Sequence, residues 1–146
     1  MKTKLVLICV AAVTLLSLAA CSSGEMPNVS VSCDDFVNSE TKPAVISKQV
    51  EVEVGSSFTV SLCSNATTGY KWSEAAQISD PAVLQQIDHK FVPPRSDATV
   101  VGAAGTEVWT FKALNKGTTN VDMEYGRPWE GGEKGAWKFH LTVVAK

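Results

Sequence analysis

From Val45 to Val143 the chain repeatedly alternates apolar and polar residues with a period of two, broken by short turn-forming stretches. Val50, Val52 and Val54 alternate with Gln49, Glu51 and Glu53. After Gly55-Ser56-Ser57 come Phe58, Val60 and Leu62, and Tyr70 and Trp72 flank Lys71. Farther on, Trp109, Phe111 and Ala113 alternate with Thr110 and Lys112, and Val121, Met123 and Tyr125 alternate with Asp122 and Glu124. Trp137, Phe139, Leu141 and Val143 share a phase against Lys138, His140 and Thr142. Side chains two apart lie on one face of a strand, so each run predicts a half-buried β-strand. The turn Asn115-Lys116-Gly117 between two such runs reads as a hairpin. Between Ala82 and Val92, the residues Val83, Leu84, Ile87 and Phe91 fit a short helix as well as a strand, and Pro93-Pro94 ends either one.

Six to eight short strands at regular spacing, with no long amphipathic helix, predict an all-β fold over residues 45–146. The expected architecture is an antiparallel β-sandwich of immunoglobulin-like type. Upstream, Lys2 and Lys4 precede an apolar run from Leu5 to Ala20, the pattern of a secretory signal peptide over residues 1–20. Leu18-Ala19-Ala20-Cys21 resembles the lipobox of bacterial lipoproteins, which implies that Cys21 becomes an acylated N-terminus. Two or three acyl chains, at about 0.8 kcal/mol per buried CH₂, make a stable anchor. The expected location is therefore beyond the inner membrane, lipid-anchored at the outer membrane or in the periplasm, and Ser22 suits outer-membrane sorting. Residues 22–44 have the composition of a tether, although Val29, Val31 and Phe36 are able to dock near Cys33.

Without the leader, 11 basic residues face 15 acidic ones, a net charge of −4. A mildly acidic chain with no run of Lys or Arg lacks the electrostatic footprint that nucleic-acid binding needs. Cys33 and Cys63 are the cysteines left once the leader and the lipidation site are set aside, and an oxidising compartment makes a disulfide their expected state. Closing a loop of about thirty residues is worth roughly 3 to 4 kcal/mol by chain entropy. Two free thiols, or a metal pair with His89 or His140, are the alternatives, and neither histidine has ligand spacing to the cysteines. No metal and no cofactor are expected.

Catalysis needs a nucleophile with its base, a carboxylate pair in a cleft or a metal cluster, and none stands in a supporting context. His89, in Asp88-His89-Lys90, and His140, on the polar face of the last strand, read as solvated side chains. Glu130 and Glu133 read as solvated loop charges, and neither Gly131-Gly132 nor Gly102 to Gly105 opens a helix that would cradle phosphate.

Three inter-strand segments stand out instead: Asn65-Ala66-Thr67-Thr68-Gly69-Tyr70, Gly102-Ala103-Ala104-Gly105 and Gly126-Arg127-Pro128-Trp129. The first resembles the NPTTG-[YF] loop of the chagasin family of cysteine peptidase inhibitors. Gly102-Ala103-Ala104-Gly105-Thr106-Glu107 resembles that family's GxGG region, and Arg127-Pro128-Trp129 after Tyr125 resembles its RPW signature. The three come in the family's order across residues 46–145. Ala66 stands where the family usually has proline, and Ala104 replaces a glycine.

This resemblance implies an immunoglobulin-like sandwich whose loops enter the cleft of papain-like cysteine peptidases, with reversible occlusion and no covalent bond. It also implies a monomer that contacts its peptidase through Asn65, Thr67, Thr68, Gly69, Gly102, Ala103, Ala104, Gly105, Arg127, Pro128 and Trp129. Thr67 would lie nearest the catalytic centre, with the threonine hydroxyls replacing hydrogen bonds of expelled water, while Tyr70 anchors the loop base. A surface-anchored immunoglobulin-like adhesion or scaffold module, using the same loops on another protein or glycan, is the alternative function.

Overall fold

The computed structural model describes residues 26–94 and 102–146. The leader, Cys9, Cys21 and the polar stretch Arg95 to Thr99 lie outside the described residues. Among the described residues, nine strands and one short α-helix follow in order: β1 (Asn28–Val31), α1 (Cys33–Val37), β2 (Ala44–Val52), β3 (Ser57–Ser64), β4 (Lys71–Trp72), β5 (Gln77–Ile78), β6 (Leu84–Val92), β7 (Gly105–Ala113), β8 (Gly117–Gly126) and β9 (Trp137–Ala145). One sheet has the order β1-β3-β7-β6. The other runs β2-β9-β8-β4, with β5 also on β8.

The period-two runs become strands because each buries one phase between the sheets. Phe58, Val60 and Leu62 of β3 and Trp109, Phe111 and Ala113 of β7 face Val121, Met123 and Tyr125 of β8 and Phe139, Leu141 and Val143 of β9. At about 1.5–3 kcal/mol for each large side chain removed from water, this shared core dominates the stabilisation. The ambiguous segment is the strand β6, paired with β7 through a bulge at Ile87. A helix there would leave the outer edge of β7 without backbone partners.

Four expectations are corrected. Two edge strands are parallel, β1 on β3 and β2 on β9, so the sandwich is immunoglobulin-like but its sheets are mixed. The runs around Asn115-Lys116-Gly117 form no hairpin: β7 pairs with β3 and β6, whereas β8 pairs with β9, β4 and β5. Both strands carry large apolar faces, and crossing between sheets brings those faces together where a hairpin would set them side by side. The tether composition does not describe residues 28–44. There β1 adds to β3, and Ser32 caps α1 in a reciprocal box with Asp35, whose carboxyl is held below its ordinary value chiefly by the Ser32 hydroxyl. Phe36 of α1 is wholly buried, stacked on Trp137 at 4.8 Å and tilted against Trp72 at 5.4 Å. The Cys33–Cys63 disulfide ties α1 to the end of β3.

The fourth correction concerns His89, which is not solvated. It pairs across the sheet with Trp109, stacks on it at 4.8 Å, and places Nε2 2.9 Å from Glu107 Oε2. His140 is partly exposed, 2.7 Å from Asp122 Oδ1. Among the described residues no group of three or more His, Cys, Asp or Glu is arranged to hold a metal ion, and no helix is long and apolar enough to cross a membrane.

Candidate functional site

β3 runs toward one pole of the sandwich and ends at Ser64, where the first marked loop begins. β7 leaves that pole from Gly105, and β8 arrives there at Gly126. The register Ser64↔Gly105 and Lys71↔Gly126 therefore brings all three marked segments to one end.

In the central loop Asn65 caps a single 3₁₀ turn, Ala66–Thr68. Its Oδ1 accepts from the Thr67 amide at 3.3 Å and from the Thr67 hydroxyl at 2.6 Å, and the Thr68 hydroxyl donates to the Asn65 carbonyl at 2.6 Å. Both hydroxyl protons are thus spent inside the loop. The Thr68 oxygen also accepts from the Tyr70 amide at 3.4 Å, so neither exposed threonine keeps a hydroxyl proton free to donate, where the sequence pattern suggested general hydrogen-bond replacement. The loop base is pinned by the Asn65 amide, which donates to the Tyr125 hydroxyl at 2.9 Å.

Neighbouring loops lock onto this one from either side. On the Asn65 side, Nδ2 donates to the Gly102 carbonyl at 2.9 Å. On the Gly69 side, the backbone turns through φ +78, and the space where a Cβ would stand is taken by the Trp129 ring, whose Cη2 lies 2.7 Å from that point. Arg127 lies half-buried between the two aromatic rings. Its guanidinium is 4.5 Å from the Tyr70 centroid and 5.8 Å from that of Trp129, with Nη2 3.5 Å from the Thr68 carbonyl. Pro128 and Trp129 are left exposed, the latter at 51 %.

The third loop is held by residues that the motif did not mark. Lys134 Nζ donates to the carbonyls of both Arg127 and Trp129, at 2.7 and 2.8 Å. The Arg127 amide bonds the Glu133 carbonyl at 2.7 Å, and the Tyr70 hydroxyl donates to the Glu133 carboxylate, which pushes the phenol above its ordinary pKa. Tyr70 is accordingly partly buried, stacked on Tyr125 at 5.6 Å, and links the first loop to the third.

One position differs from the displayed-loop reading. Gly105 is buried as the first residue of β7, and a Cβ there would meet the Phe91 ring at 2.5 Å and the Val92 carbonyl at 2.6 Å, so its glycine answers a close packing. Gly102 takes the left-handed backbone, φ +86, whereas among the described residues no non-glycine has positive φ; Ala104 therefore sits in backbone open to any residue.

Beneath the loops lies a buried carboxylate, Glu107. Its Oε1 accepts from the Ser64 hydroxyl at 2.7 Å and the Trp72 amide at 3.2 Å, and its Oε2 faces His89. A buried polar group is tolerated only when hydrogen-bonded, and this one ties the stems of two loops to β6. Its signal in the sequence is a carboxylate in the core phase of Gly105, Glu107 and Trp109. Tyr125 offers a weaker sign of the same kind, a hydroxyl on a core face. Lys134 and Glu133 carry none, because their roles depend on how the loop folds back.

Residues 51–143 match the family model described as Chagasin family peptidase inhibitor I42. Chagasin of Trypanosoma cruzi is 32% identical over 96 residues, which span 64% of this chain and 86% of that protein. Among solved structures, the cysteine protease inhibitor EhICP2 of Entamoeba histolytica superposes with a TM-score of 0.61 at 18% identity, covering 84% of this chain and 99% of that one. PbICP-C, solved in complex with falcipain-2, gives 0.52 at 17% identity, covering 81% and 99%. These two structures share the fold, and with the family match, the chagasin relative and the three loops at one pole, the chain belongs to the chagasin family of peptidase inhibitors.

Proposed function

We propose that this chain is a reversible, tight-binding inhibitor of papain-like cysteine peptidases that fills the active-site cleft with its three loops and forms no covalent bond. The observation that carries the reading is the mutual locking of the loops: Asn65 to Gly102 on one flank, Trp129 on Gly69 and Arg127 against Thr68 on the other. A wedge ordered before contact loses little conformational entropy on binding, so more of the contact energy becomes affinity. Its tip, Thr67, is small and exposed, while Pro128 and Trp129 supply an exposed anchor of a type enriched at binding hot spots. Chagasin-family members are described as peptidase inhibitors, and one structural neighbour was solved bound to falcipain-2.

The same proposal includes the role of each loop residue as a peptidase contact, a monomeric state, and lipidation of Cys21 with anchoring at the outer membrane or in the periplasm. The leader and Leu18-Ala19-Ala20-Cys21 support the anchor. So does the entry of the chain: β1 begins with Asn28 beside Thr59, at the end of β3 remote from Asn65, so a tether there leaves the loops facing away from the membrane.

Titration of papain and a cathepsin with the soluble chain from residue 22 tests the inhibition. One-to-one loss of activity below micromolar concentration, reversed on dilution, is expected. Full activity at micromolar inhibitor would favour the adhesion-module alternative. Metabolic labelling with palmitate, lost in Cys21→Ser, tests the anchor.

A further inference from the structure

On the far side of the central loop from Trp129 lies a second exposed aromatic, Phe91. It stands one residue from the end of β6, at the loop pole, where the register pairs it with Glu107. Paired residues of an antiparallel ladder share a face, so Phe91 is in the inward phase with His89 and Glu107. Those two are covered, but Phe91 is 44 % exposed. Its ring lies against Gly105, whose missing Cβ makes room for it, and Val92 beside it is 42 % exposed. A ring in a core phase, left open at the end of the sandwich and seated on the stem of the Gly102–Gly105 loop, is a preformed apolar surface continuous with the three-loop edge.

We propose that Phe91 is a second aromatic anchor, which packs on the apolar margin of the peptidase cleft on the side away from Trp129. The inference rests on the inhibitor reading above and extends its contact surface beyond the three loops. Two half-exposed aromatics then bracket the thin threonine tip, one seated on Gly69 and the other on Gly105, each ordered by a glycine that admits the ring. An aromatic held in place before binding contributes area at low entropic cost. Peptidases whose cleft margin is apolar on that side are the ones this contact favours.

The test uses the soluble chain with papain. Replacing Phe91 by the photoreactive p-benzoylphenylalanine is expected to give a one-to-one covalent adduct with papain on irradiation. Phe91→Ala is expected to raise Ki at least about tenfold, as truncated interface aromatics do. Ile87→Ser, which removes an equally exposed side chain from the middle of the same strand, is expected to leave Ki within about twofold, as energetically neutral surface positions do. Inhibition without an adduct, or an adduct with Ki unchanged in Phe91→Ala, overturns the anchor and leaves the inhibitor reading intact. Failure of the unsubstituted chain to inhibit overturns both.

Discussion

Gly69→Ala separates the stability of the loop from its function. Gly69 has φ +78, a conformation that costs an L-residue about 1–2 kcal/mol, and the added methyl would lie 2.7 Å from Trp129 Cη2. The ring is half exposed, so it swings outward and the fold bears only the backbone cost. At roughly 4 °C per kcal/mol for a domain of this size, the midpoint of thermal unfolding falls by about 4–8 °C. The effect on inhibition is larger, because the displaced ring is the exposed anchor of the third loop. Losing its contact costs at least about 2 kcal/mol, roughly 30-fold in Ki.

The assay is Ki against papain for Gly69→Ala, Trp129→Ala and the double variant, with calorimetry of each. Trp129→Ala alone is expected to weaken inhibition by about the same 30-fold, and the double variant to be little worse than either, a coupling of about 2 kcal/mol between the two sites. Additive losses would refute the claim that Gly69 acts through the ring. A Ki for Gly69→Ala within twofold of the original would refute the assignment of Trp129 to the interface.

Ala66→Pro is expected to stabilise the loop by about 0.4–1 kcal/mol, with Ki unchanged or lower, because Ala66 is the first residue of the 3₁₀ turn, where proline fits. Raised Ki with an intact fold would show that this turn differs from the family's loop. Lys134→Met removes the ammonium that gathers the Arg127 and Trp129 carbonyls and is expected to raise Ki about threefold to tenfold, mainly through a faster off-rate, as loss of preorganisation does. Surface plasmon resonance on immobilised papain would show an unchanged off-rate if the loop holds without it. The Cys33→Ser, Cys63→Ser double variant is expected to lose about 3–4 kcal/mol in urea unfolding. Retention of the original midpoint would mean that α1 is held by Phe36 packing alone.

Much of the site was legible because it depends on local chemistry. Asn65 through Gly69 forms a capped turn with a left-handed exit, and residues of those types adopt it wherever they stand. The strands are equally local, since a period-two pattern dictates which face each run buries. Pairing is not local. The faces of Trp109 to Ala113 and Val121 to Tyr125 suit a shared sheet as well as opposite sheets, and only the three-dimensional core, where each face covers the other, decides between them.

The same division explains the remaining differences. Cys33 and Cys63 announce a possible bridge, but that Phe36 fills the core beside it depends on the gap left by Trp72 and Trp137. His89 looks solvated between Asp88 and Lys90 until the register of β6 on β7 sets it over Trp109 and against Glu107. Sequence by itself determined the period-two strands and the capped turn at Asn65–Gly69, because conformational preference and amphipathic period act within a few residues. Tertiary structure alone decided which strands are neighbours, which loops share a pole and which polar groups serve as struts, because those follow from mutual burial and hydrogen-bond satisfaction among residues far apart in the chain.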